Sequence, residues 1–110
     1  MEAERVLRYI GIARRAGRLA VGTPAVCDAL RRRDGGAVFA SNDISDGTRK
    51  RLLDKCAFYG ARLIVLPVGG EELARRLGKT GSLAAVMIKD EGLSHSAESF
   101  AVEDTRADIE

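Results

Sequence analysis

Two blocks of arginine bracket a Gly-Thr-Pro triplet in the stretch from Ala13 to Arg33, ARRAGRLAVGTPAVCDALRRR. Thr23 carries an N-capping hydroxyl and Pro24 has the fixed φ of a first helical position, so Gly22-Thr23-Pro24 is expected to open a helix whose free backbone N–H groups face forward. A helix mouth of this kind attracts anions, and the glycine ahead of it lets a phosphate come close. Arg14, Arg15, Arg18, Arg31, Arg32 and Arg33 are expected to surround that mouth with positive charge. The ligand that suits such a site is a polyanion, with RNA as the natural choice.

Other residue types that could do chemistry fall short of a motif. Gly78-Lys79-Thr80 resembles the end of a phosphate-binding P-loop, but Leu73 stands where the first glycine is required, and an acidic helix pattern precedes it instead of a strand. His95 is the single histidine and has no cysteine or serine partner in a recognisable arrangement, so it reads as a surface residue near a frayed end. Asn42-Asp43 closes a strand pattern, with Asp43 as the cap or turn leading into the next helix. Cys27 and Cys56 are too far apart for a metal knuckle or redox motif and read as reduced core residues of a cytoplasmic protein. Phe39, Phe58, Phe100, Tyr9 and Tyr59 mostly fall at core-facing spacing, which argues against a base-stacking platform. No catalytic residue, cofactor or metal is expected.

The charge distribution supports a polyanionic partner better than the net charge of +2 does. Residues 1 to 89 carry 17 Lys/Arg against 9 Asp/Glu, and residues 90 to 110 carry 1 against 7, so a body at +8 is joined to a segment at −6. Such asymmetry points the basic part toward nucleic acid or another anionic surface. With 110 residues, 45% of them hydrophobic, the chain is expected to form one domain with a modest core. Its apolar runs, Leu63 to Leu66 and Leu83 to Ile88, are strand-sized and far short of a membrane span. The opening Met1-Glu2-Ala3-Glu4 has no basic region followed by an apolar stretch, so no signal peptide is expected.

The elements that must position these residues alternate along the chain. Val6, Ile10, Ala13 and Gly17 share a helical stripe opposite Arg8 and Arg15, predicting an amphipathic helix over 4–16. A short strand over 18–21 leads into the Thr23 helix, whose inner face is Val26, Ala29 and Leu30 and whose end is Asp34-Gly35-Gly36. A buried strand over 37–41 follows. Ser45 then caps a helix carrying Leu52, Leu53, Cys56 and Tyr59 and stopped by Gly60. Next come a strand over 62–66, a short helix over 71–77 closed by Gly78, and a last strand over 83–88. Leu93, Ala97 and Phe100 predict a final helical turn or two before an acidic, flexible tail. Helices separated by short apolar strands make a three-layer α/β/α sandwich.

The order and spacing of several short motifs resemble the kink-turn-binding ribosomal-protein superfamily, the L7Ae/L30e group, and within it the small bacterial YlxQ-like branch. They run from the AR-x-x-G-R-L-x-x-G-T pattern at Ala13 to Thr23 through A-S-N-D at Ala40 to Asp43, T-R-K at Thr48 to Lys50 and D-K-C at Asp54 to Cys56. E-L at Glu72-Leu73, L-G-K at Leu77 to Lys79 and D-E-G at Asp90 to Gly92 complete the set. The resemblance covers roughly residues 6 to 92. It implies a mixed four-stranded sheet between helices, with RNA held by the helix after Gly22 and by the loop before the last strand, which contains Lys79. Of the family's RNA-reading pattern, G-T-N-E-x-x-K and a following arginine, Gly22, Thr23 and Arg32 match. Pro24, Ala25 and Asp28 replace the Asn, Glu and Lys that read tandem sheared G·A pairs. Lys79 and Gly81 stand where apolar residues would pack against an extruded nucleotide.

The expectation is therefore a non-enzymatic RNA-binding domain over 1–100, with the acidic tail at 101–110, reading structured RNA mostly by shape. Its RNA-binding residues would be Arg14, Arg15, Arg18, Gly22, Thr23, Arg31, Arg32 and Lys79. Its partners would be structured RNA, ribosomal RNA among the candidates, and ribosomal or transcription proteins, with no membrane. The alternative is a protein-interaction module of the same fold. An enzyme, or the recognition domain of an RNA methyltransferase, is disfavoured because the chain has no cofactor motif and no length for a second domain.

Overall fold

The computed structural model describes residues 1–101; of the acidic tail expected over 101–110, Ala101 is the buried last residue of the final helix and the rest lies outside the described residues. Nine elements alternate along the chain: α1 (Ala3–Arg15), β1 (Leu19–Val21), α2 (Thr23–Arg32), β2 (Ala37–Ala40), α3 (Asp46–Tyr59), β3 (Arg62–Val65), α4 (Gly70–Arg76), β4 (Ala85–Ile88) and α5 (Glu91–Ala101). The four strands form one mixed sheet in the order β1-β4-β2-β3. β4 is antiparallel to both of its neighbours, and β2 is parallel to β3.

Alternation along the strands splits the core in two. Ala37 and Phe39 of β2 and Val86 and Ile88 of β4 face α1, α4 and α5, meeting Val6, Ile10, Leu73 and Ala97. Val38, Ala40, Ala85 and Met87 face the other way, onto Val26 and Leu30 of α2 and Leu52 and Cys56 of α3. Both faces are covered, which is why β2 and β4 read as continuous apolar runs. The expected three-layer α/β/α sandwich with a mixed four-stranded sheet is the observed fold.

Several local expectations need correcting. Thr23 is not the N-cap of α2: Gly22 takes that position at φ 90°, a left-handed conformation a threonine resists, and Thr23 becomes the first helical residue. At the other end of α2, Arg33 rather than a glycine adopts the left-handed conformation, at φ 58°. Asp43 caps a different helix from the one expected, its Oδ1 accepting the Gly70 N–H of α4 at 2.9 Å, while Ser45 caps α3 by accepting the Thr48 N–H at 3.2 Å. The final helix has 11 residues rather than a turn or two. On α3, Leu52 and Cys56 are buried as expected, but Leu53 is exposed and Phe58 is 76% exposed.

One ion pair locks α5 to the sheet. Glu98, only 9% exposed, pairs with Arg62 at the start of β3 and accepts a hydrogen bond from the Ser94 hydroxyl at 2.7 Å. Opposite α5, the Gly35-Gly36 turn runs tight against the end of β4. Burial pushes the Cys56 thiol up to about 11, so it stays protonated and serves as a small apolar core group.

A methyl group on Gly35 would fall well inside contact distance of the Ile88 carbonyl oxygen. Because that neighbour is backbone and cannot rotate away, Gly35→Ala is expected to destabilise the fold by about 1–3 kcal/mol. Thermal unfolding should register this as a drop in Tm on the order of 10 °C.

Candidate nucleic-acid interface

Sheet polarity brings the starts of three helices to one end of the molecule. β1, β2 and β3 all finish there, β4 begins there, and α2, α3 and α4 each follow one of the three finishing strands. Backbone hydrogen bonds fix this end: Gly22 N–H donates to Ala85 at 2.9 Å, Ser41 N–H to Ala84 at 2.9 Å, Asn42 N–H to Val68 at 2.9 Å and Leu83 N–H to Gly70 at 3.0 Å.

The three helix starts differ in how their first N–H groups are satisfied. α3 has the Ser45 hydroxyl and α4 the Asp43 carboxylate, whereas α2 has no side-chain cap. Val26 is the first residue of α2 to donate, to the Gly22 carbonyl at 2.9 Å, and Pro24 has no N–H. The N–H groups of Thr23 and Ala25 are left at the mouth without an acceptor among the described residues. With the partial positive charge of the helix dipole behind them, they form a small electropositive mouth at a half-exposed surface.

The arginines do not surround this mouth. Arg31 and Arg32 lie at the far end of α2, whose 10 residues rise about 15 Å. Asp28 binds them both, Arg31 through Nη2 and Arg32 through Nε at 3.0 Å. Arg33 donates to the Tyr59 carbonyl at 3.3 Å. Arg18 sits at the opposite end of β1 from Gly22, its carbonyl accepting the Lys89 N–H at 2.7 Å. A groove of about 240 Å³ between β1 and α2 joins the two ends, with Val21 and Ala25 toward the mouth and Arg32, Asp34 and Lys89 toward the other end. Lys89 was not foreseen, because only the antiparallel pairing of β1 with β4 places it beside Arg18.

The remaining cations occupy other ground. The Arg14 guanidinium lies against Gly78, next to Lys79, whose own N–H donates back to Ala74 at 2.9 Å. Arg15 lines a shallow hollow on α1 with Arg8, Gly11 and Arg76. There the Arg76–Glu4 ion pair joins α4 to α1 and holds the Glu4 carboxyl below its ordinary range. The sequence-predicted residues thus fall into four places: Gly22 with Thr23, Arg14 with Lys79, Arg15 alone on α1, and Arg18 with Arg31 and Arg32. Among the described residues, no group of three or more His, Cys, Asp or Glu could hold a metal ion, and no helix is long and apolar enough to cross a membrane.

The structure is a small α/β/α sandwich with one open helix mouth and, beside it, a groove whose charged lining is Arg32 and Lys89 with Asp28 and Asp34. The chain belongs to the ribosomal protein L7Ae/L30e/S12e/Gadd45 family, whose model matches residues 4–98. It is 30% identical over 76 residues, 69% of this chain and 73% of the relative, to the RNA-binding protein YlxQ of Enterococcus faecium. Its fold is similar to a solved structure of a protein of unknown function from Bacillus halodurans, with a TM-score of 0.82 and 31% identity, covering 93% of this chain and all of the other.

Asp28 is the one carboxylate that holds Arg31 and Arg32 away from a ligand. Because all three side chains are largely exposed, Asp28→Ala should change stability by less than about 1 kcal/mol. It should nevertheless raise the salt needed to elute the protein from a heparin column. Unchanged elution would show that these two arginines do not meet a polyanion.

Proposed function

We propose that this chain is a non-enzymatic, cytoplasmic RNA-binding protein of the translation or transcription machinery. The open mouth of α2 at Gly22 and Thr23 holds a phosphate of a structured RNA, with ribosomal RNA the leading class. The groove carries the backbone toward Arg18, Arg31 and Arg32, and Arg14, Arg15 and Lys79 supply contacts on the flank. The domain that binds is residues 1–100, followed in the chain by the acidic segment 101–110. What carries the reading is that α2 alone, of the three helices starting at this end, has no first-turn N–H held by a side chain among the described residues. Family membership and a relative named for RNA binding support it.

The contacts available favour positioning over base reading. Backbone N–H groups and guanidinium groups recognise phosphate, and phosphate carries no sequence information. At the positions where the family pattern has Asn, Glu and Lys, this chain presents a proline ring, a methyl group and a carboxylate already occupied by two arginines.

Two titrations test this. Binding of a structured RNA should weaken steeply with salt, log K falling by roughly 0.7 to 0.9 per log unit for each phosphate contact. A kink-turn RNA should bind little better than an unrelated hairpin of equal length. Salt-independent binding, or none, would overturn the RNA reading in favour of a protein-interaction module. A strong kink-turn preference would overturn only the inference of shape reading.

A further inference from the structure

Along the outer face of α3, a strip of cations ends on an exposed aromatic ring. Helical spacing places Gly47, Arg51, Asp54 and Phe58 on the stripe pointing away from the core, flanked by Lys50 and Lys55. The first part of the stripe lines an open hollow of about 450 Å³, and Asp54, Lys55, Phe58 and Tyr59 line a second of about 290 Å³. Since Asp54 and Lys55 belong to both, the two form one groove.

Phe58 has no part in the core, which α3 meets through Leu52 and Cys56. Its ring is held edge-on against Tyr59 at 4.8 Å between centroids, and the Arg33 guanidinium covers Tyr59 at 5.7 Å. Lys50 pairs with Asp54 at 3.3 Å, while Arg51 and Lys55 form no ion pair among the described residues. The strip therefore sets Lys50, Arg51 and Lys55 against a single carboxylate, Asp54. A surface for a protein partner would show a contiguous apolar patch. Leu53, the other exposed large apolar side chain, is five residues from Phe58 and falls on a different flank of α3. Within the strip one phenyl face therefore stands among cations, the combination by which single-stranded nucleic acid is held, with phosphates on the cations and a base on the ring.

The geometry points to a second RNA contact, in which the α3 groove takes a short single-stranded stretch flanking the structured element, with a base stacked on Phe58 and phosphates on Arg51 and Lys55. This rests on the RNA reading above and extends it. α2 and α3 start at the same end of the sheet, and Gly47 lies in the first turn of α3 with open space where a side chain would be. A strand leaving the mouth of α2 can enter the groove at that end and run toward Phe58.

The chain has no tryptophan, so Phe58→Trp introduces a single fluorescent reporter at an exposed position. The probes are a blunt RNA hairpin and the same hairpin with a 3′ tail of about eight uridines. The tail should tighten binding to the parent protein by about fivefold or more, as one stacked base can. Phe58→Ala should lose that gain, Phe58→Tyr should keep it, and both should bind the blunt hairpin as the parent does. The tailed hairpin should quench the fluorescence of Phe58→Trp, and the blunt one should not. A tail gain that survives Phe58→Ala, or an unquenched reporter, overturns the proposal. So does a reporter that responds to polyglutamate but not to the tail, since the groove would then select only negative charge. If the parent binds the blunt hairpin and gains nothing from the tail, this contact alone fails; if it binds neither, the RNA reading fails with it.

Discussion

Three consecutive residues at the start of the central antiparallel strand hold the functional end of this molecule together. Leu83 donates to Gly70, Ala84 accepts from Ser41 and Ala85 accepts from Gly22, so one short stretch of backbone ties down the starts of α4 and α2 and the end of β2. None of these bonds depends on a side chain. Gly70 has no room for one, because a Cβ there would press on Ser82 and on the Leu83 backbone. The position of the α2 mouth is therefore set by sheet registry, with Val21 opposite Val86 and Gly22 bonded to the next residue outward. A one-residue slip would turn the mouth away and exchange the two cores.

Much of the architecture was legible because both faces of the sheet are covered. Ala37-Val38-Phe39-Ala40 and Ala85-Val86-Met87-Ile88 are apolar at every position, and the helices ahead of them, α1 and α2, each have a single apolar stripe. The misplacements arise where two local signals compete or where a partner is distant in sequence. Thr23 and Gly22 can both start a helix, and the backbone turn out of β1 requires a positive φ, which favours glycine. Asp43 and Ser45 sit two residues apart and both are good caps, yet the one that reaches α4 does so across the fold. Leu52 and Leu53 are equivalent in composition, and only the helix phase relative to the sheet decides which is buried.

The open start of α2 was legible and the layout around it was not. A Gly-Thr-Pro triplet predicts a helix start with free N–H groups, but adjacency in sequence does not bring the flanking arginines to it. A helix carries its last turn away from its first, so Arg32 shares a groove with Lys89, a residue far away in the chain. Asp28 likewise reads as a lost cation in the family pattern, whereas the folded chain shows it engaged with both arginines.

The same layout bears on how such a domain can discriminate among RNAs. With Pro24 at the second position of α2, the mouth offers two N–H groups instead of three, and it has no side-chain amide or carboxylate to reach a base edge. On the reading proposed above, what remains is a spacing requirement: one phosphate at Gly22, others roughly a helix length away beside Arg18 and Arg32, and a third direction along α3. A rigid A-form duplex, a bent junction and a flexible strand meet that requirement to different degrees without any base being read. Selectivity of this kind comes from the distances between cation clusters that the sheet holds fixed, which makes registry of the central strand, rather than any one side chain at the mouth, the determinant of which RNA fits.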